Sequence, residues 1–303
     1  MIRALSQAAR RAAAYGSLVK IAHTVFTVPF AVSAAILATR RPHVAVTPAR
    51  VLAIAVCLVA ARSAAMAYNR LVDRDIDAEN PRTRSREIPA GQISVVGALA
   101  FTAICAAIFL GAASTLGTWP ARLALPVLLV LLGYSHAKRF TWAAHVWLGL
   151  ALALAPAGAW LAMGVPPEPS IFALMLGVAS WIAGFDVLYA LQDEEFDRGA
   201  GLNSIPARFG GRGALAIARA LHVVTVVAIG ACGVLAGARF VFAIATVMVA
   251  ALLVYEHSLV RPVAGDPAGR VDLSRIDKAF FDVNGWVSLG FLGLVALDRV
   301  LAG

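Results

Sequence analysis

The sequence predicts an all-α polytopic membrane protein, a bundle of about nine transmembrane helices that forms one integral-membrane domain over residues 1–303. Hydrophobic residues make up 60% of the chain, charged residues only 14%, and the mean hydropathy is +0.80. Soluble proteins do not have this composition. Apolar stretches of about 20 residues, the length that crosses a hydrocarbon core, recur along the chain, and no loop is long enough for a separate soluble domain.

Nine apolar stretches can be read in order. They cover residues 17–39, 49–68, 92–115, 119–134, 141–163, 169–191, 213–236, 238–257 and 279–300. The fourth is short and contains Pro126, and only a tight turn around Gly237 separates the seventh from the eighth. Counted in this way, the sequence predicts nine helices.

The distribution of basic residues predicts the orientation. With the N-terminus inside, eighteen of the 26 Lys and Arg residues fall in inner segments and six in outer segments, while Arg62 and Arg219 lie within spans. Because cytoplasmic loops are enriched in Lys and Arg, we expect a multi-pass protein of the inner (cytoplasmic) membrane with a cytoplasmic N-terminus and no cleaved signal peptide. The net charge of +9 then reflects topology and contact with the lipid bilayer, and no nucleic-acid partner is expected.

Two acidic clusters, 120 positions apart, interrupt the apolar background. Each contains polar residues at a spacing of four. They are Asn69, Asp73 and Asp77 in NRLVDRDID, and Tyr189, Asp193 and Asp197 in YALQDEEFD. The tripeptide Ile-Pro-Ala follows each cluster, at 88–90 and 205–207. Four predicted spans separate the copies, so they are interpreted as a parallel internal repeat that places both clusters at the cytoplasmic face.

The spacing of the acids predicts their chemistry. Residues four apart on a helix lie on nearly the same face, so each cluster would form one polar stripe, to which Asp186 adds a turn in the second. Two facing carboxylate stripes would repel each other, and a divalent cation relieves that repulsion. Oxygen ligands without His or Cys indicate Mg²⁺, which shares its coordination with phosphate oxygens, so a diphosphate substrate is expected. Asp75 lies off the stripe and is expected to be solvated or paired with an arginine.

Basic residues follow both clusters. They are Arg82, Arg84 and Arg86 after the first, Arg198, Arg208 and Arg212 after the second, and Lys138 and Arg139 on an inner loop. Guanidinium and ammonium groups bind phosphate oxygens well, so these residues are candidates for binding the diphosphate, Arg86 among them. The alternative for any one of them is a positive-inside residue with no further role.

Three segments closely resemble the UbiA superfamily of intramembrane prenyltransferases. They are NRLVDRDIDAENPRTRSREIPAGQIS, YSHAKRFT and FDVLYALQDEEFDRGAGLNSIPARFG, which contain the family signatures NxxxDxxxD and DxxYxxxD, the latter followed by a third Asp. The resemblance extends over most of the chain, from KIAHTVFTVPF to AFFDVNG. It implies a nine-helix fold whose acidic motifs bind Mg²⁺ and a polyprenyl diphosphate, with the lipid tail in a cavity open to the bilayer.

The resemblance also implies roles for individual residues. Those implied to hold Mg²⁺ and the diphosphate are Asp73, Asp77, Asp193 and Asp197. Those implied to contact the diphosphate are Asn69, Arg82 and Lys138. Asp186 and Tyr189 would complete the second motif, and Tyr134, one turn before Lys138, would lie near the reacting carbon.

The expected reaction begins with ionisation of the allylic donor. Mg²⁺ and the basic residues would stabilise the departing diphosphate, the C1–O bond would break, and an electron-rich ring would attack the cation and then lose a proton. Apolar walls would exclude water. The ring faces of Tyr134 or Tyr189 would stabilise the cation by about 1–2 kcal/mol through cation–π attraction.

Arg62 is the candidate for recognising the acceptor. It lies within the second span, about two turns deeper than Asn69 on roughly the same face, where an arginine is costly. A carboxylate on an aromatic acid acceptor is its expected partner, and the alternatives are an internal acid or snorkelling to the surface. Lys20, at the inner end of the first span, is expected to line the acceptor entrance or to be purely interfacial.

Within the family, the chain looks most like the bacterial 4-hydroxybenzoate polyprenyltransferase-like branch, part of which serves the futalosine route to menaquinone. The expected acceptor is 1,4-dihydroxy-6-naphthoate or 4-hydroxybenzoate, in menaquinone or ubiquinone biosynthesis, with a preference for the naphthoate. Both carry a ring carboxylate, so Arg62 does not separate them.

The alternative function, from another class, is a secondary transporter or cation carrier that uses paired acids. Transporters place such acids near the bilayer midplane, whereas these lie at the inner ends of spans. A CDP-alcohol phosphotransferase is disfavoured because neither cluster has its Asp-Gly and Ala-Arg pattern. Glu256 and His257 are interpreted as an interfacial pair or a proton relay, and no role follows from the sequence for Arg219 and His222.

Overall fold

A computed structural model describes residues 13–42, 44–263, 265–266 and 270–302 of the chain. These residues are helical almost throughout. Two short strands, Arg261–Pro262 and Val271–Asp272, pair antiparallel in the loop before the last helix. The predicted all-α membrane fold is confirmed, and the small hairpin is a detail that hydropathy does not reveal.

The longer elements are labelled in chain order. The α-helices are α1 (Val28–Ala38), α2 (Pro48–Val72), α3 (Arg74–Glu79), α4 (Val95–Ser114), α5 (Thr118–Gly133), α6 (Ala144–Ala162), α7 (Pro169–Ala190), α8 (Glu194–Gly199), α9 (Ile205–Leu235), α10 (Phe240–Leu259) and α11 (Asn284–Leu301). Residues 13–18 are also helical. Short 3-10 helices cover Ile21–Phe26, Tyr134–Arg139 and Leu191–Asp193, and a π-helix covers Lys278–Val283.

Eight helical segments of the described chain are long and apolar enough to cross a membrane, and Thr24–Ala38 is a shorter apolar segment. Together they account for the nine predicted stretches. The first, 17–39, is wrong as one continuous helix, because Lys20 has a positive φ of 48° and Pro29 lies in the first turn of α1. A left-handed residue ends a helix, and proline favours the start of a new one.

Proline and glycine have different effects in the later spans. Helix α5 continues through Pro126, and Gly237, with φ of 66°, makes the turn between α9 and α10. Helix α9 begins eight residues earlier than the predicted 213, because Ser204 caps it by accepting a hydrogen bond from the backbone N–H of Ala207. Gly210, with φ of 68° and ψ of 173°, then interrupts it.

The chain forms two compact units. The first comprises Met1–Thr24 and Pro48–His136, and the second Val25–Thr47 and Ala137–Gly303. In the first unit, α2 packs on α4 through small residues such as Ala60 and Ala64, which meet Phe109. A second buried cluster includes Ala67 and Leu71, so packing holds the end of α2 that carries the first acidic cluster.

In the second unit, α7 is the most deeply buried span and packs between α6 and α9. Small residues permit this close packing. A Cβ atom at Gly149 would lie 2.2 Å from the carbonyl oxygen of Ala179, and one at Gly184 would lie 2.3 Å from Nε2 of His222. Close backbone approach through small residues is typical of membrane helices. It fixes the end of α7, which carries the second acidic cluster.

Candidate active site

The two acidic clusters share a backbone feature that the sequence does not reveal. In each, a long helix ends within three residues of the middle aspartate. That aspartate has non-helical dihedral angles, and a six-residue helix begins at the next residue. Asp73 has φ −89° and ψ 2° and precedes α3, and Asp193 has φ −105° and ψ 5° and precedes α8. The expected uninterrupted helical stripe is therefore wrong, although the repeat extends to local backbone conformation. The positive ends of the helix dipoles of α3 and α8 stabilise the acidic residues in their first turns.

Hydrogen bonding keeps the first cluster aligned across the break. The backbone N–H of Asp73 donates to the carbonyl of Asn69 at 2.9 Å, and that of Asp77 donates to the carbonyl of Asp73 at 2.7 Å. The side-chain amide of Asn69 also donates to Oδ2 of Asp73 at 3.1 Å. Both aspartates are buried, each 3% exposed. The structure thus brings the three predicted residues together as a polar row at the end of α2.

Asp77 is the acid whose surroundings are most clearly defined. Its Oδ1 accepts from Nη1 of Arg86 at 2.7 Å, and its backbone carbonyl accepts from the hydroxyl of Thr83 at 3.1 Å. Its Oδ2 is buried and has no hydrogen-bond partner among the described residues. The NPRTRSR segment therefore folds back onto the first cluster, and one carboxylate oxygen is left available for a cation.

Several cations converge near this cluster. Partial loss of contact with water lowers the pKa of Lys20, the nearby charges of Arg70, Arg86 and Arg82 lower it further, and Glu87 opposes them. Repulsion of this kind is relieved by a bound anion. The structure therefore places Lys20, Arg82 and Arg86, all predicted from the sequence, in one basic environment.

Sequence reasoning did not single out Arg70 as a site residue. It is 4% exposed, in the last turn of α2, and its Nε has no hydrogen-bond partner among the residues described. A basic side chain immediately after Asn69, still within an apolar helix, was the available signal. Its burial indicates a place within the basic environment rather than on a solvated surface.

Arg62 lies deeper on α2. Its Nη2 donates to the backbone carbonyl of Lys20 at 3.3 Å, and its Nε is buried without a hydrogen-bond partner in the described part of the chain. Tyr134 is an electrostatic neighbour of both Arg62 and Arg70. Arg62 forms no ion pair with a described carboxylate, so the alternative of an internal acid partner is not realised there.

The second cluster contains a histidine that the sequence analysis missed. Nδ1 of His145, on α6, donates to Oδ2 of Asp186 at 2.7 Å. His145 is buried, and its Nε2 has no hydrogen-bond partner among the described residues. A lone His at the start of an apolar stretch, 41 positions from its partner, offers little signal. The contact holds the Asp186 carboxylate in one orientation.

Lys138 and the two later aspartates of this cluster are close to one another. Ser204, Asp193, Lys138 and His145 are electrostatic neighbours of the Asp197 carboxylate. The backbone carbonyl of Lys138 accepts from the N–H of Asn203 at 2.8 Å. The loop after the cluster is thereby tied to the segment that carries Lys138.

Tyr189 belongs to an aromatic cluster in the second unit. Its ring stacks on Phe280 with centroids 4.0 Å apart. Phe280 in turn meets Phe26 and Phe185 edge-on, at 5.4 Å in both cases. Such packing limits the ring of Tyr189 to a narrow range of orientations.

Other basic candidates have local partners. Arg198 pairs with Glu194 at 2.7 Å, Arg208 stacks over Trp142, and Arg212 donates to the carbonyl of Asp266. These contacts fit the positive-inside alternative better than a role in diphosphate binding. Asp75 is 80% exposed and lies 3.4 Å from Arg74, in agreement with the prediction that it is solvated or paired with an arginine.

The donor chemistry of the acids fits a hard divalent cation. No group of three or more His, Cys, Asp or Glu residues in the described chain is arranged as a complete metal site. Even so, a buried carboxylate oxygen without a hydrogen bond, as at Asp77, is the kind of ligand that Mg²⁺ takes. Because Mg²⁺ keeps several waters and shares substrate phosphates, an incomplete set of protein ligands does not conflict with it.

Comparison with known proteins supports the family. The model of the UbiA prenyltransferase family matches residues 26–274. The 4-hydroxybenzoate octaprenyltransferase of Janthinobacterium sp. (strain Marseille) is 28% identical over 241 residues, which cover 79% of this chain and 81% of that one. UbiA prenyltransferase claS of Ampulloclitocybe clavipes is 35% identical over 156 residues, 51% of this chain, and the match spans about half, 49%, of that relative.

Solved structures agree. The apo structure of a UbiA homologue from Aeropyrum pernix K1 has a TM-score of 0.76 and 28% identity, with 92% of this chain and 98% of that one covered. A UbiA homologue from Archaeoglobus fulgidus, described as bound to GPP and Mg²⁺, has a TM-score of 0.72 and 19% identity and covers 95% and 99%. Since the family match spans most of the chain, the protein is a multi-pass membrane member of the UbiA prenyltransferase family.

Proposed function

We propose that the protein transfers a polyprenyl group from polyprenyl diphosphate to an aromatic carboxylic acid, with Mg²⁺ as cofactor. The observation that carries the proposal is Asp77, whose buried carboxylate is held by Arg86 through one oxygen only and has Arg70 as an electrostatic neighbour. Lys20 is in turn a neighbour of Arg70 and Arg86. A carboxylate surrounded by basic side chains suits a divalent cation that is bound to an anionic diphosphate. Family membership supports this reading over a secondary transporter or cation carrier.

The acids of both motifs are proposed to serve one reaction. Asp73, Asp77, Asp193 and Asp197 would hold Mg²⁺, with Asp186 oriented by His145. Bound Mg²⁺ would supply positive charge that stabilises the diphosphate as it leaves. One homologue of the same fold is described as bound to GPP and Mg²⁺, which is consistent with this role.

The chain's own groups would bind and orient the donor. Diphosphate oxygens would accept hydrogen bonds from Asn69, Arg82, Arg86 and Lys138, and Arg70 would add charge. Tyr134 and Tyr189 would present ring faces toward the allylic cation. Tyr189 is suited to this because stacking on Phe280 holds its ring.

Arg62 is proposed to bind the acceptor carboxylate. Its Nε is buried without a hydrogen-bond partner among the described residues, and its guanidinium pairs with no described acid, so a carboxylate would satisfy it. The names of the relatives favour 4-hydroxybenzoate over the 1,4-dihydroxy-6-naphthoate that the local sequence runs favoured. Both remain acceptors to be tested, and ubiquinone and menaquinone biosynthesis are the corresponding pathways.

We also propose that the two units act as a single domain, with the catalytic residues on the cytoplasmic side of the inner membrane. The family match over residues 26–274 includes both units, and the excess of Lys and Arg in the segments next to the motifs supports the orientation.

The experiment is turnover by purified protein in detergent. Labelled polyprenyl diphosphate is incubated with each candidate acid, with Mg²⁺ or with EDTA, and products are identified by mass. We expect a prenylated acid and released diphosphate only with Mg²⁺. Because detergent contains no sealed compartment, turnover would exclude a carrier as the explanation. No product with either acid would overturn the proposed function.

A further inference from the structure

A basic groove lies in the second unit, outside the residues proposed for prenyl transfer. It is formed by α9, α10 and the strand that follows α10. The residues that matter for its chemistry are Arg212, Arg219, His257, Ser258 and Arg261. Arg212 and Arg219 are seven positions apart and so share one face of α9. The groove therefore gathers three guanidinium groups from two neighbouring elements.

The positive charge of the groove is not neutralised by nearby acids. No Asp or Glu lines it, and neither Arg219 nor Arg261 forms an ion pair with a carboxylate in the described ranges. Arg212 donates to the backbone carbonyl of Asp266 at 3.1 Å, while the carboxylate of Asp266 binds Arg270 at 2.9 Å. An anion is the partner that this arrangement lacks.

The position of Arg219 indicates where such an anion would come from. It lies within the apolar span of α9, nine residues beyond the kink at Gly210, and its side chain is exposed. An exposed arginine in a membrane-spanning helix is costly unless it reaches the headgroup region. The groove lies along the first half of α9 and at the end of α10, so its arginines lie toward the membrane face at which α9 begins and α10 ends. In a bilayer, lipid phosphates lie at the ends of the spanning segments.

A buried polar network supports one wall of the groove. Nε2 of His257 and Nδ1 of His222 share a hydrogen bond of 3.0 Å, and the same His222 nitrogen lies 3.7 Å from Glu256. Oε1 of Glu256 accepts from the side-chain amide of Asn284 at 2.9 Å. His257 is thus held in place from the protein interior, so the groove has a fixed wall rather than only mobile surface side chains.

We propose that this groove binds the phosphate group of an anionic ligand, and that an anionic phospholipid headgroup is its occupant. Arg212, Arg219 and Arg261 donate to the phosphate oxygens, and the hydroxyl of Ser258 is a further donor. Guanidinium groups suit this because each can donate two parallel hydrogen bonds to a phosphate. A soluble phosphate compound has the same chemistry and is the other source to distinguish.

The test uses the full chain purified in detergent. Binding of dioctanoyl phosphatidylglycerol, dioctanoyl phosphatidylcholine and inorganic phosphate is measured by native mass spectrometry for the wild type and for an Arg219→Gln, Arg261→Gln double variant. Arg275→Gln is the control, since Arg275 is an exposed arginine of the neighbouring loop outside the groove. Thermal unfolding without lipid shows that each variant is folded.

We expect the wild type to prefer phosphatidylglycerol over phosphatidylcholine, and the double variant to bind phosphatidylglycerol about tenfold or more weakly while Arg275→Gln binds normally. Should the double variant instead lose binding of inorganic phosphate while lipid binding is unchanged, the phosphate site stands and its occupant is soluble. Equal binding of every probe by wild type and double variant would overturn the proposal. If the double variant is unfolded, it is replaced by a variant with Arg219→Lys and Arg261→Lys. Lysine keeps the charge but lacks the paired donors of arginine, and the same outcomes apply.

Discussion

Asp77 and Arg86 form a 2.7 Å ion pair that engages only one oxygen of the carboxylate. The other oxygen is buried and has no hydrogen-bond partner among the described residues. A buried carboxylate that loses its one charged partner is strongly destabilising, because its charge is then uncompensated. Arg86 therefore stabilises the first acidic cluster and also leaves it competent to bind a cation.

Replacing Arg86 by Gln should lower the free energy of unfolding by roughly 1.5–3 kcal/mol, because a charge-assisted hydrogen bond to a buried acid is lost. It should also raise the KM for polyprenyl diphosphate. Thermal unfolding in detergent and donor titration measure the two effects. Arg84→Gln is the matched control, since Arg84 is exposed and only two positions away. An unchanged Tm in Arg86→Gln would show that the pair contributes nothing to stability.

Asp73→Asn and Asp193→Asn should each abolish Mg²⁺-dependent turnover and leave the fold intact. An amide oxygen is a weaker Mg²⁺ ligand than a carboxylate, and the amide has nearly the same volume. The controls are Asp75→Asn and Glu195→Gln, which neutralise exposed acids next to the same motifs. Product formation in detergent provides the measurement. Near wild-type rates from either aspartate variant would remove that residue from the site.

Arg62→Ala should raise the KM for the aromatic acid far more than the KM for the donor. The physical reason is that Arg62 contacts a backbone carbonyl of Lys20 and no described acid, so its charge is available to the acceptor carboxylate. Arg122→Ala, an exposed arginine of α5, serves as the control. An acceptor analogue without the carboxylate should lose its dependence on Arg62. If Arg62→Ala raises the KM for the donor and the KM for the acceptor equally, Arg62 does not bind the acceptor carboxylate.

His145→Ala should raise the Mg²⁺ concentration needed for half-maximal turnover by roughly 10–100-fold, with the acceptor KM unchanged. Removing a partner that orients a ligand or a neighbouring carboxylate has effects of this size. In an Asp186→Asn background the same change should add little, because the 2.7 Å contact is already weakened. Additive effects in this double-mutant cycle would show that His145 acts through something other than Asp186.

Lys20→Gln should raise Tm near neutral pH and weaken binding of pyrophosphate. In the folded protein, partial burial and repulsion from Arg70 and Arg86 lower the pKa of Lys20 below the ordinary 10.5. Between the two pKa values the unfolded chain holds more protons, so the wild type gains stability as pH rises through that window.

The difference in Tm between Lys20→Gln and wild type should therefore shrink as pH approaches 10.5. Unfolding curves across this pH range test the direction of this change. Lys20→Arg retains its charge, so its Tm should stay below that of Lys20→Gln at high pH as well. A Tm difference between Lys20→Gln and wild type that widens as pH rises would mean that the Lys20 charge stabilises the folded state.

Much of the fold was predictable because a bilayer imposes a simple rule on apolar length. Eight long apolar helices lie close to the predicted stretches, and the turn at Gly237 and the exposed state of Asp75 were also foreseen. The break in the first predicted span was not foreseen, because hydropathy does not report the left-handed backbone conformation of Lys20. The early start of α9 depends on a cap from Ser204, a local hydrogen bond rather than an apolar pattern.

For this protein, composition and spacing alone determined the membrane class, the repeat and the two acidic clusters, because apolar length and residue spacing are local properties of the chain. Only the tertiary structure decided that Arg70 is buried, that His145 holds Asp186 and that Arg86 holds one oxygen of Asp77. It also decided that Arg219 and Arg261 line one groove. Such facts depend on which distant or differently oriented side chains meet once the helices pack, and residue spacing does not record those contacts.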